Sequence, residues 1–217
     1  MKNQKDNIKY IFLDVWETLL LSNKNEKNIN TDRAKIIFDI TNFGNIAFWK
    51  NKIEEEILQF KEQELIGFSI TPQNRIKKIL NMNGLDTTKS EKILCEYDKL
   101  IIQKYRPYLN KKLLNNLIEK NREIILISNT GLTSKNAVMN ILNQFGIINN
   151  FKDMFFSEDY KYCKPNISFY KIPLKKYKIK INEVVMYGDS KIMDFNPCYK
   201  LGINCIIKQW GWKGLII

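Results

Sequence analysis

The chain has 217 residues, 44% apolar and 27% charged, which is typical of a soluble globular domain with room for an inserted module. Its net charge of +12 arises from 35 Lys and Arg against 23 Asp and Glu; because the basic residues are spread along the chain, we expect small anionic substrates rather than nucleic acid as partners. The sequence contains no histidine, which excludes mechanisms that depend on Ser–His, Cys–His or His–metal pairs.

The first predicted element is a strand in the N-terminal stretch KYIFLDVWETLL, residues 9–20. Its apolar run from Tyr10 to Leu13 is rich in aromatic and branched side chains, which favours a strand buried on both faces. The run is too short for a signal peptide and ends at Asp14. No segment has the roughly 20 apolar residues of a membrane span, and none of the four cysteines forms a CxxC pair. We therefore expect a cytoplasmic protein that binds no membrane.

A polar stretch at residues 22–30 is interpreted as a linker to a helical insert. From about residue 31 to residue 105 the apolar spacing is helical and no strand is predicted. One helix carries Ile53 and Ile57, a second covers residues 75–82, and a third begins near Ser90. The insert therefore separates the first strand from the rest of the chain.

Strands and helices alternate after Pro107. Helices are predicted at residues 109–120, 134–145 and 167–177, with a kink or break at Pro173 in the last. Strands are predicted at EIILIS (residues 123–128), around Phe155, at EVVMY (residues 183–187) and at residues 203–207. This alternation predicts an α/β fold with a doubly wound parallel sheet.

Acidic residues follow two of these strands at their carboxyl ends. Asp14 follows the first strand, and Asp189 and Asp194 follow EVVMY. Because the carboxyl ends of parallel strands meet at one edge of a sheet, we expect these three carboxylates to form an acidic pocket. Such a cluster requires a cation, and oxygen ligands of this kind suit Mg²⁺.

The strand EIILIS ends in Ser128, which is followed by Asn129, and Lys164 lies between this strand and the acidic residues. At the same edge of the sheet, Ser128 and Lys164 can bind a phosphate together with the metal. Asp14 is then placed to act as the nucleophile. Asn129 is a further candidate for contact with the substrate because it directly follows Ser128.

With these four motifs in order, the sequence resembles the haloacid dehalogenase superfamily. The motifs are DVWET (residues 14–18), SNTG (128–131), Lys164-Pro165 and GDSKIMD (188–194). The resemblance implies a Rossmann-like core at residues 1–21 and 106–217, and a helical cap of the family's first type at residues 22–105. It also implies an aspartyl intermediate on Asp14, and it adds the backbone carbonyl of Trp16 to the metal ligands Asp14, Asp189 and Asp194.

The sequence departs from the family pattern at Trp16. Phosphatases of the family carry at this position a second Asp, which protonates the leaving oxygen and later activates water. An indole can do neither, so a step worth about 10²- to 10⁴-fold in rate lacks its usual residue. Glu17 is a weak replacement, since neighbours on an extended chain point to opposite sides.

The resemblance leaves several functions open. The first is a Mg²⁺-dependent phosphohydrolase acting on a small phosphorylated metabolite, with a weakened general acid. The second is a C–halogen hydrolase, because those relatives carry an aromatic residue at the position of Trp16 and a cap arginine, here Arg33 or Arg75; a phosphonate hydrolase also tolerates loss of the acid. The third is a catalytically impaired protein that binds a phosphorylated ligand or a partner.

Overall fold

The computed structural model describes residues 7–208. Its core is a five-stranded sheet in the order β5-β4-β1-β6-β7, in which every neighbouring pair is parallel. The strands are β1 Tyr10–Leu13, β4 Glu123–Ser128, β5 Phe151–Phe156, β6 Val184–Gly188 and β7 Asn204–Ile207, with a separate ribbon of β2 Leu20–Leu21 and β3 Tyr108–Leu109. The helices are α1 Ile29–Thr41, α2 Ile46–Leu65, α3 Pro72–Asn81, α4 Ser90–Gln103, α5 Lys111–Ile118, α6 Lys135–Gln144, α7 Ile167–Lys176 and α8 Asn196–Leu201.

Both faces of the sheet are covered by helices, because alternate residues of each central strand are apolar on both sides. In β1, Ile11 and Leu13 pack on one face with α5 and α6, whereas Phe12 packs on the other with α7 and α8. This period of two is the pattern of a buried parallel strand. The predicted doubly wound α/β core is confirmed.

Helices α1 to α4 form the insert between β1 and β4, around a third apolar cluster that includes Trp49 and Tyr97. The antiparallel pairing of β2 with β3 lies where the chain leaves the core and returns to it. The proposed limits of cap and core stay a prediction, and residues 1–6 and 209–217 of the predicted core lie outside the described part of the chain.

Two local predictions differ from the structure. The predicted linker at residues 22–30 instead contains a 3-10 helix at Lys24–Asn28, and α1 begins within it at Ile29. The prediction rests on the polar composition of this stretch, which does not exclude a short helix; the N-cap residue Asn28 makes no side-chain capping bond. The break predicted as one possibility at Pro173 does not occur, because helix α7 continues through the proline to Lys176.

No helix within residues 7–208 has both the length and the apolar character needed to cross a membrane.

Candidate active site

The three predicted aspartates converge at the carboxyl edge of the sheet. Asp14 follows the central strand β1, and its N–H donates to the carbonyl of Tyr187 in β6 at 2.9 Å. Asp189 follows β6, and Asp194 lies in the short π-helix Lys191–Phe195. One carboxylate oxygen from each aspartate lies within 4.8 Å of the others. This spacing allows the three side chains to share one ion.

Lys164 is the cation found at this cluster. Its Nζ lies 2.5 Å from Oδ1 of Asp14 and 2.8 Å from Oδ1 of Asp194, and all three side chains are buried. Three carboxylates and one ammonium leave a net charge of −2 when all are ionised. A divalent cation neutralises that charge, and an all-oxygen ligand set suits Mg²⁺. The residues present therefore fit the predicted metal.

The protonation of the cluster reflects burial and mutual repulsion. Burial is the main cause that raises the pKa of Asp14 to about 7, while Lys164 opposes the rise and Asp194 adds to it. Burial, with Asp194, also raises the pKa of Asp189 to about 6. Burial lowers the pKa of Lys164, but the contacts with Asp14 and Asp194 raise it by more than burial lowers it. The pKa is therefore raised overall and the ammonium stays charged. Near neutral pH the Asp14 carboxyl is therefore partly protonated unless a further cation enters.

The close packing of Asp194 depends on Gly188 at the end of β6. A Cβ on Gly188 would lie 2.5 Å from Cγ of Asp194 and 2.7 Å from its Cβ, far inside normal contact. The carboxylate is fully buried, and it accepts hydrogen bonds from the backbone N–H of Ser190 at 3.1 Å and from Lys164. Gly188 therefore provides the space that lets Asp194 reach the cluster.

Of the two predicted phosphate-binding residues at the end of β4, Ser128 and Asn129, only Asn129 lines the cavity. Ser128 ends the strand fully buried, and its hydroxyl donates to the carbonyl of Asn129 at 3.2 Å; it does not line the cavity beside Asp14. Asn129 does line that cavity. Its Oδ1 accepts from the N–H of Lys164 at 2.8 Å, and its Nδ2 donates to the Lys164 carbonyl at 2.9 Å. Asn129 therefore fixes the main chain that carries the lysine.

Trp16 and Glu17 both line the cavity that contains Asp14. The chain is not extended at Glu17, which has a φ of +56°, so the geometric argument used against Glu17 as a replacement acid does not apply. Its Oε1 accepts hydrogen bonds from the N–H of Ser22 at 3.2 Å and from the Ser22 hydroxyl. The predicted metal ligand in this segment, the backbone carbonyl of Trp16, belongs to a residue that lines the cavity.

The cavity has a volume of about 550 Å³ and lies between core and cap. Cap residues Arg33 and Glu64 line it together with the aspartates, whereas Arg75 does not. Arg33 is buried, donates to the hydroxyl of Thr133 at 3.3 Å, and its Nε has no hydrogen-bond partner. Arg75 instead stacks on Phe60.

Sequence reasoning missed two contributions to this site. Thr18 is fully buried, and its hydroxyl donates to Oδ2 of Asp14 at 3.0 Å, so Lys164 and Thr18 hold one oxygen each. Thr18 is the last residue of the DVWET motif, and its place in that motif was the sequence feature that could have indicated its contact with Asp14. Glu64 accepts a hydrogen bond from Asn129 at 2.6 Å. No motif marks Glu64, because its position depends on how the cap packs on the core.

Comparison of the sequence with protein families supports the resemblance. The family described as haloacid dehalogenase-like hydrolase matches residues 35–208. This match covers the SNTG, Lys164-Pro165 and GDSKIMD motifs but begins after Asp14. No curated protein matches the chain significantly.

Several solved structures share the fold over nearly the whole chain. The HAD phosphatase from Thermococcus onnurineus is 17% identical with a TM-score of 0.64, covering 95% of this chain and 89% of its own. YfnB from Bacillus subtilis bound to magnesium is 15% identical with a TM-score of 0.61, covering 97% and 90%. CbbY from Rhodobacter sphaeroides in complex with xylulose-(1,5)-bisphosphate is 15% identical with a TM-score of 0.60, covering 93% and 86%. At these identities the likeness shows a common fold.

Proposed function

The chain belongs to the haloacid dehalogenase-like hydrolases, and from this premise we propose that it is a Mg²⁺-dependent phosphohydrolase that acts on a small phosphorylated metabolite with Asp14 as its nucleophile. The observation that carries the proposal is the buried cluster of Asp14, Asp189 and Asp194 around Lys164, with a net charge of −2 when all four groups are ionised. Without a metal, that excess negative charge would be left uncompensated. The cluster therefore favours metal-assisted phosphoryl transfer over the alternatives.

The chain's residues support this chemistry as follows. Lys164 and Thr18 each hold one oxygen of Asp14, which fixes the carboxylate for attack on phosphorus. The bond from phosphorus to the leaving oxygen breaks as an aspartyl phosphate forms, and water then releases phosphate and restores Asp14. The Lys164 ammonium stabilises negative charge on the transferred group. Asp14, Asp189 and Asp194, with the Trp16 carbonyl, would hold Mg²⁺, which would supply additional stabilisation of that charge.

Binding of a small anion together with a divalent cation is supported by the charged groups and the size of the cavity. Its walls carry Lys164 and Arg33 beside six carboxylates, and its volume of about 550 Å³ is in the range of small-molecule sites. The family's phosphatase neighbours, such as the enzyme from Thermococcus onnurineus, agree with a phosphorylated substrate. Trp16 cannot donate a proton, so leaving groups that need little protonation, such as aryl or acyl phosphates, are the best first substrates.

Hydrolysis of an aryl phosphate tests the proposal. We expect turnover that requires Mg²⁺, is abolished by EDTA, and is lost in Asp14→Asn. Asp39→Asn is the matched control, since Asp39 lies exposed on α1 away from the cavity. Turnover that continues in Asp14→Asn, or that does not depend on a divalent cation, contradicts the proposal.

The second candidate is a C–halogen hydrolase, favoured by Arg33 and Trp16 in one cavity. A halide leaves without a proton, so this chemistry does not need the missing acid, and Arg33 can hold a substrate carboxylate. Release of chloride or bromide from a haloacid in the presence of EDTA would support this candidate. Such release should be lost in both Asp14→Asn and Arg33→Met.

A further inference from the structure

Glu64 brings a carboxylate from the cap into the reaction cavity. It lies in the last turn of α2 and lines the same cavity as Asp14 and Trp16. Its Oε1 accepts a hydrogen bond of 2.6 Å from Nδ2 of Asn129, whose amide group is itself fixed to the main chain of Lys164. Glu64 is therefore one side chain away from the lysine that contacts the nucleophile.

The turn that follows Glu64 is attached to the loop that carries Lys164. The carbonyl of Gly67 accepts from the N–H of Cys163 at 3.1 Å, and Phe68 forms an antiparallel bridge with Tyr162. Gly67 has a φ of +81°, and a Cβ there would lie 2.5 Å from Cβ of Asn166. These contacts fix the end of α2 against the core and keep Glu64 in the wall of the cavity.

The surroundings of Glu64 favour its protonated form when a phosphate binds. Burial raises the pKa of Glu64, while the Asn129 hydrogen bond and the charges of Lys164, Arg75 and Lys61 oppose the rise. The thiol of Cys163 also lies close to it. A phosphate dianion in the cavity raises the pKa further, since like charges disfavour ionisation.

The other two glutamates that line the cavity accept hydrogen bonds from groups outside the nucleophile's surroundings. Glu17 accepts two hydrogen bonds from Ser22, and Glu26 accepts one from the N–H of Asn23 at 3.3 Å. Among the three described glutamates that line the cavity, only Glu64 bonds to Asn129, which is fixed to the main chain of Lys164.

We propose that Glu64 is the general acid and base that replaces the carboxylate missing at Trp16; this inference rests on the proposed phosphohydrolase function. When Asp14 forms its bond to phosphorus, the P–O bond of the ester breaks and its electron pair goes to the leaving oxygen, which takes the proton of Glu64. The ionised Glu64 then takes a proton from the water that attacks the aspartyl phosphate. Phosphate leaves, and Asp14 and protonated Glu64 are regenerated.

The test is Glu64→Gln, compared with Glu62→Gln on the exposed side of α2. Glutamine keeps the size of the side chain and an oxygen that can accept from Asn129, so the contact between cap and core is retained. Two substrates are used in rapid-quench measurements with Mg²⁺: ethyl phosphate, whose leaving oxygen needs a proton, and p-nitrophenyl phosphate, whose leaving oxygen does not. Circular dichroism and thermal melting confirm that each variant is folded.

We expect Glu64→Gln to slow phosphorylation of Asp14 by ethyl phosphate about 10²- to 10⁴-fold and by p-nitrophenyl phosphate much less. With the aryl ester, a burst of one nitrophenolate per enzyme should precede slow turnover, because the second step lacks its base. If the wild type cleaves p-nitrophenyl phosphate but not ethyl phosphate, the nitrophenolate burst of Glu64→Gln decides whether Glu64 acts as the base. Equal slowing for both esters, no slowing, or no burst would overturn the role of Glu64 while leaving Asp14 as nucleophile. A wild type that cleaves neither ester contradicts the proposed function itself.

Discussion

Replacing Gly188 by alanine should disturb the acidic cluster without changing its charge. The new Cβ would lie 2.5 Å from Cγ of Asp194, and ordinary contact begins at 3.4 Å, so the carboxylate must retreat by roughly 0.9 Å. That shift loosens its bonds to Lys164 and to the Ser190 N–H. A hydrogen bond to a charged group is worth about 1.5–3 kcal/mol, and overpacking a buried site costs about 1–3 kcal/mol. We expect a loss of about 3 kcal/mol of the unfolding free energy.

For a domain of this size, such a loss lowers Tm by about 6–12 °C. Calorimetric melting measures the stability, and isothermal titration with MgCl₂ should show at least about tenfold weaker binding, equivalent to ~1.4 kcal/mol. The control is Gly131→Ala, since a Cβ at Gly131 meets no atom within 4 Å and stability should be unchanged. If Gly188→Ala melts and binds Mg²⁺ like the wild type, Asp194 is not held by this close approach and the reasoning is refuted.

Two further predictions concern the charges of the cluster. Replacing Lys164 by Met removes the buried ammonium that contacts Asp14 and Asp194. In metal-free thermal melting, this should lower the free energy of unfolding by about 3–5 kcal/mol. An unchanged Tm would contradict the two ion pairs. Because the pKa of Asp14 is raised to about 7 and that of Asp189 to about 6, the folded metal-free protein binds more protons than the unfolded chain between pH 4 and these values. Its stability should therefore fall as pH rises through 6 to 7, and Mg²⁺ affinity should rise over the same range because protons leave the ligands; affinity that does not change with pH excludes these carboxyls as ligands.

The sheet and its acidic edge could be predicted from the sequence because both depend on local patterns. The run EIILIS predicts β4 with the bounds that the structure shows, since an unbroken apolar segment fits a strand buried on both faces. Parallel strands then place Asp14 and Asp189 at one edge, and the short π-helix after β6 brings Asp194 to them.

The cap's contribution could not be predicted in the same way. Glu64 and Arg33 enter the cavity only because of how the helices pack on the core, and helical periodicity gives no information on that docking. The position of Glu17 depends on a left-handed conformation in a residue other than glycine, which no sequence pattern signals. Ser128 lies where the topology places it, but its hydroxyl bonds to the adjacent carbonyl instead of facing the cavity.

The most direct test of the central claim is the location of the covalent intermediate. The enzyme is mixed with Mg²⁺ and p-nitrophenyl phosphate, quenched in acid and digested, and the peptide that contains Asp14 is sequenced by mass spectrometry. We predict an added phosphoryl group on Asp14, absent when EDTA replaces Mg²⁺. A phosphoryl group on any other residue, or turnover with none on Asp14, would contradict the account.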